Sequence, residues 1–158
     1  MAEISEQQEA RRRMRQDFKN YMKYIGLSSA LTGRVQDFYG FWRMLCPEKI
    51  EWMFINDSID KDGERLFESL LFFSTNYGME AKDFVSKENF HMVKIESPIV
   101  LFSVQTQDYD FKQATDKSRL YFRASLTAST SATLKAAKEN CDCLWELVVN
   151  YFAPISRK

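Results

Sequence analysis

The chain has 158 residues, 45% of them hydrophobic and 15% aromatic, enough apolar material to close a core without disulfides or metal, and too much for a disordered chain. Its 22 acidic and 22 basic residues cancel, so no net field recruits nucleic acid or an anionic membrane, and any such role falls to a local patch. Three cysteines, Cys46, Cys141 and Cys143, follow no disulfide framework and read as reduced thiols, as expected of a cytoplasmic or nuclear protein.

The N-terminus is polar and runs into arginines, unlike a secretory signal. No apolar run approaches the roughly 20 residues needed to span a bilayer, so a membrane partner is not expected. Few Gly and Pro leave little material for linkers. Residues 1–158 are expected to form a single domain, with a helical part over 1–46 and an α-β-β-β-α part over 64–153.

The first helix is predicted from about Ser5 to Tyr24, with Met14, Phe18, Tyr21 and Ile25 as its apolar stripe and Gly26 as its stop. Ser28 or Ser29 then caps a second helix reaching about Leu45, whose core stripe is Val35, Phe38, Trp42 and Leu45; Pro47 lies beyond it. Residues 48–60 suit a short strand or a further helical turn equally well. Asp57 to Gly63 reads as a polar turn, with Asp62 capping a third helix from Glu64 to about Tyr77, and further helical turns are predicted over Met79–Ser86.

From Phe90 the period becomes alternating. Strands are predicted over Phe90–Glu96, Ile99–Gln107 and Arg119–Thr127, joined as an antiparallel meander. A long final helix begins near Ser131 and carries Leu134, Ala137, Cys141, Leu144, Val148 and Tyr151 along one face, closed by Pro154. The fold class is therefore α+β: N-terminal helices, a three-stranded antiparallel meander, and a long C-terminal helix packed on the sheet.

Catalytic kits are hard to assemble from these residues. His91 is the one histidine and needs a convergent nucleophile and carboxylate to do chemistry. Cys141 and Cys143 point to different faces of a helix, and with Cys46 and His91 make a poor zinc set, so no metal is expected. Ser58 to Gly63 is similar to part of a calcium loop, but Ser58 stands at the first position and Ser69 at the twelfth, where acids are required. No glycine-rich phosphate cradle occurs. The reading is of a protein that is not an enzyme and carries no cofactor.

Two basic features are candidate binding surfaces. Arg12, Arg15, Lys19 and Lys23 line up opposite the apolar stripe of the first helix; neighbouring Glu6, Glu9 and Asp17 would make them an ordinary solvated face. On the third strand, inward Leu120, Phe122, Ala124 and Leu126 force Arg119, Tyr121 and Arg123 outward, beside Ser103, Gln105 and Gln107 of the second. Arg and Tyr interleaved on an open sheet can stack on bases, or serve as protein hot spots; Asp108 and Asp110 could instead neutralise them.

The predicted order from Arg65 to Phe152, and above all Thr130-Ser131-Ala132-Thr133-Leu134-Lys135-Ala136-Ala137-Lys138, resembles the double-stranded RNA-binding domain. The resemblance implies that a Ser-led corner opens the last helix and that Lys135 and Lys138 grip phosphates. Leu134 stands where that family usually has another Lys, and Glu96-Ser97-Pro98-Ile99 replaces its Gly-Pro-X-His loop. Three functions are consistent with the sequence. The leading one is a non-enzymatic protein-interaction module, self-associating or a subunit of an assembly, motivated by an aromatic load larger than one core is expected to hide. The alternatives are RNA binding through the outer sheet face and the start of the last helix, and a small-ligand binder or enzyme with an aromatic pocket between helices and sheet.

Overall fold

A computed structural model describes residues 18–95, 100–107 and 119–153 of the chain. Helix α1, Phe18–Tyr24, ends at Gly26, whose φ of +75° is the left-handed stop that the sequence suggests. Tyr21 and Ile25 are buried along its stripe. Helix α2, Ser29–Leu45, starts at Ser28, whose Oγ accepts from the Leu31 N–H. Val35, Phe38 and Trp42 form its buried stripe, but Leu45 is 59% exposed. From Trp42 the stripe steps four residues to Cys46, which is buried in its place.

Strands β1 (Trp52–Ile59), β2 (Arg65–Phe73), β3 (Tyr77–Lys82) and β4 (His91–Lys94) form an antiparallel meander in chain order. The ambiguous stretch 48–60 is thus mostly strand. The helix expected over Glu64–Tyr77, and the turns expected over Met79–Ser86, are instead β2 and β3. The reason lies in burial. Ser69 through Phe73 is buried on every residue because both faces of the sheet are covered, and a run buried all round carries no period to distinguish strand from helix. Asp62 caps no helix: Asp60 Oδ1 accepts from the N–H groups of Asp62 and Glu64, and Gly63 (φ +83°) completes a β1–β2 hairpin turn. Glu48 closes the β2–β3 turn, accepting from Ser74 Oγ and from Asn76 N–H and Nδ2.

Strands β5 (Val100–Gln107), β6 (Arg119–Ser125) and β7 (Ser131–Ala137) make a second antiparallel meander. The meander predicted from the alternation is real, and Ile99–Gln107 and Arg119–Thr127 supply two of its members as β5 and β6, but Phe90–Glu96 contributes β4 to the other sheet, and β7, at the start of the supposed long helix, is the third. Ala132, Leu134 and Ala136 alternate inward opposite Ala124, Phe122 and Leu120. Ladder pairing thereby overrides the helix preference of the alanines. Lys138, with φ +57°, turns the chain, and helix α3 runs only over Asn140–Leu147 before a π-helical turn at Val148–Phe152.

The four-stranded sheet is sandwiched. Phe72 meets Tyr39 and Trp42 of α2 on one face, while its neighbour Phe73 meets Tyr151 and Phe152 on the other. The inner face of the second sheet shares the same C-terminal helix, through Phe122 and Trp145. One contiguous apolar cluster joins the helices and both sheets. It absorbs most of the aromatic load: among the described residues only Tyr24 and Tyr39 are aromatics counted as exposed. No described helix is long and apolar enough to cross a membrane.

Candidate binding face and the polar seam behind it

Alternation on β6 puts Leu120, Phe122 and Ala124 inside and leaves Arg119 and Arg123 exposed, with Tyr121 half-buried between them. Antiparallel register sets Tyr121 opposite Lys135 and Arg123 opposite Thr133 on β7, and Gln107, Gln105 and Ser103 of β5 opposite Arg119, Tyr121 and Arg123. Arg119, Tyr121, Arg123 and Lys135 therefore share one sheet face. Lys135 Nζ is committed there, lying 2.8 Å from Glu68 on β2. Asp108 and Asp110, the acids weighed as partners, lie outside the described residues, as do Arg12 and Arg15.

Lys138 sits in the turn after β7 rather than on a helix. Lys19 and Lys23 are exposed on α1, an element apart from the β6–β7 face. The corner Thr130–Lys138, which would open a helix in the double-stranded RNA-binding arrangement, is a hairpin end followed by a strand, and Arg65–Phe73 is likewise a strand. Phosphate-gripping cations projecting from the first turn of a last helix are thus not what Lys135 and Lys138 provide.

The most elaborate polar arrangement among the described residues carries no sequence motif. At β1 residues Asn56 and Asp57 a bulge interrupts pairing with β2. Their side chains turn to β7 and take over the role of a backbone ladder. Asn56 Oδ1 accepts from Lys135 N–H (3.1 Å) and its Nδ2 donates to Thr133 O (2.9 Å) and Ser69 Oγ (2.6 Å). Asp57 Oδ1 accepts from Ala137 N–H (2.9 Å) and Asn140 Nδ2 (2.8 Å). Tyr21 donates to Asn140 Oδ1 (2.8 Å) and accepts from Ile55 N–H (3.0 Å), tying α1 into the same knot.

Arg65 closes it, its guanidinium donating to Ile25 O, Ala137 O and Glu139 and lying 3.0 Å from Asp57 Oδ2 without the alignment of a hydrogen bond. Burial pushes the Asp57 carboxyl up to about 6, against the pull of Asn140 and Arg65. The one hint in the sequence was an Asn-Asp pair continuing an apolar run, Trp52-Met53-Phe54-Ile55.

Two clefts flank these elements. One, of about 480 Å3, lies where the β6–β7 turn approaches β3 and β4, bringing Ser129, Thr130 and Ser131 near Glu80, Lys82 and His91. Glu80 and His91 are register partners, and burial raises the Glu80 carboxyl. The other, of about 620 Å3, opens between α1, α2 and the sheet. Cys141 is buried and its thiol is pushed up to about 12 by that burial, far from a thiolate ligand. Among the described residues no three His, Cys, Asp or Glu side chains are grouped to hold a metal ion. Comparison with protein-family models, with curated proteins and with solved structures returned no match.

Proposed function

We propose that the protein is a non-enzymatic interaction module, self-associating or a subunit of an assembly, which docks through the outer face of β6 and β7. The observation that carries this is the row Arg119, Tyr121, Arg123, held on a rigid ladder with two exposed guanidiniums flanking a phenol. Arg and Tyr anchor protein interfaces because they combine apolar area with hydrogen bonds at little entropic cost. The aromatic load lends this reading no support, since the core hides most of the described aromatics, and the face alone carries it. Light scattering coupled to size exclusion tests it. Wild type is expected to be oligomeric and Arg119→Glu/Arg123→Glu to be smaller at equal concentration. A wild type that stays monomeric when concentrated removes self-association.

RNA binding is the second reading, supported by the same alternation of cation and ring, which suits stacking on unpaired bases. It is the weaker one because Lys135 is already paired with Glu68. Arg123→Ala, Lys135→Ala and Lys138→Ala should each lower affinity and reduce the salt slope by about one. Absence of any retarded band with duplex or single-stranded RNA at low salt would end this reading.

A further inference from the structure

The cleft of about 480 Å3 beside the β6–β7 turn is lined by polar side chains that the fold leaves unused. Glu80 and Lys82 stand two residues apart on β3 and so share one face of that strand, and His91 on β4 is the register partner of Glu80. Glu80 thus has a lysine along its own strand and an imidazole across from it. It is half-buried, and burial raises its carboxyl against the pull of both neighbours. Ser129, Thr130 and Ser131 line the other wall from a turn that Thr127 fixes, its Oγ1 accepting from the N–H groups of Ser129 and Thr130. The side chains of Lys82, Asn89, His91 and these three hydroxyl residues make no hydrogen bond or salt bridge among the described residues. Unused donors and acceptors converging on a perturbed carboxyl mark a small-ligand site, and the volume falls within the roughly 300–1,000 Å3 usual for one.

The alternation of charge along this row selects the ligand. An anion placed here meets Glu80 and a cation meets Lys82, whereas a neutral hydroxyl donates to the carboxylate and accepts from the ammonium. Phe90, held by its stack on Phe41, adds an apolar flank. We propose that this cleft binds a neutral saccharide, a ring that carries hydroxyls at its rim and C–H groups on its face. The hydroxyls bridge Glu80 and Lys82 on one wall and meet the turn hydroxyls on the other, and the C–H face lies against Phe90. With little apolar area in the lining, the Kd is expected to be on the order of 1 mM. The inference does not rest on the outer face of β6 and β7, and it gives the small-ligand reading a place and a chemical class.

His91 is the one histidine of the chain, so its ring C–H resonances report on the cleft without ambiguity. The experiment follows them in the full chain during titration with glucose, galactose and mannose, each beside its uronate and its 2-amino counterpart. At least one neutral sugar is expected to shift them saturably, and its charged counterparts to bind at least about fivefold more weakly. Glu80→Ala should weaken the neutral sugar by about tenfold. Glu80→Gln, which keeps an acceptor and a donor without the charge, should hold it within about threefold and admit the uronate as well. Should Glu80→Ala not fold, the exposed Lys82→Ala decides in its place, weakening the neutral sugar by about fivefold and relieving the penalty on the amino sugar. No saturable shift with any of the neutral sugars, a uronate or amino sugar bound as tightly as its neutral parent, or indifference to both Glu80→Ala and Lys82→Ala would each overturn the proposal.

Discussion

Asp57 concentrates the chemistry of the seam in one carboxyl. Its folded pKa, about 6, lies above the ordinary 3.8, so the folded state holds the proton more tightly than the unfolded chain does. The associated stability is complete below pH about 4 and is lost as pH rises through about 6, amounting to about 3 kcal/mol for a shift of this size. Asp57→Asn keeps an acceptor for Ala137 and Asn140 but has no proton to lose. Urea denaturation at pH 4 and pH 7 should show the wild type losing stability relative to the variant across that interval. Parallel pH profiles would mean that Arg65 holds the carboxylate ionised throughout. Tyr21→Phe strips a donor from Asn140 and an acceptor from the Ile55 N–H, both buried, and should cost about 1–3 kcal/mol in the same assay. Neither role was legible from residue type: an Asp before a turn and a Tyr on an apolar stripe have ordinary meanings until tertiary contacts set them face to face.

At the level of elements, legibility followed the number of covered faces. Helix α2 and strand β6 each bury one side, so most of the stripe and the parity could be read directly, including the outward Arg119 and Arg123, while the choice between Ser28 and Ser29 as cap and the exposure of Leu45 were settled only by the fold. Strand β2, covered on both sides, could not be told from a helix. Strand β7 failed for a different reason, its alanines and Leu134 fitting both periods, with the decision left to its partner β6. The strand-to-helix switch at Lys138 places a branched-free but bulky residue in the left-handed region at φ +57°. Lys138→Gly should relieve about 1 kcal/mol of strain. Thermal melting should therefore move up by roughly 2–4 °C; an unchanged or lower midpoint would show that the added unfolded-state freedom of glycine cancels the relief.

Across the molecule, two meanders are coupled by side chains where a sheet would ordinarily use backbone. Asn56 is the centre of that coupling, bonding to β2 through Ser69 and to β7 through Thr133 and Lys135. Asn56→Ala should leave the Lys135 N–H without its acceptor and speed its hydrogen exchange, while amides deep in the β1–β2 ladder stay protected. Uniform acceleration across both sheets would instead mark a single unit that opens only globally. The β6–β7 row belongs to the second meander, and the cleft beside α1 and α2 to the first.

Composition and local pattern alone determined that this chain folds around an aromatic core, that α2 and β6 exist, and that β6 turns its arginines to water, because each follows from one-sided burial over consecutive residues. The third dimension decided how many strands there are, where the last helix begins, and that Asn56, Asp57, Arg65 and Asn140 form one buried knot. Those outcomes depend on partners distant along the chain: a ladder neighbour chooses between two local conformations of similar energy, and a buried polar group persists only where another element brings the bond that satisfies it.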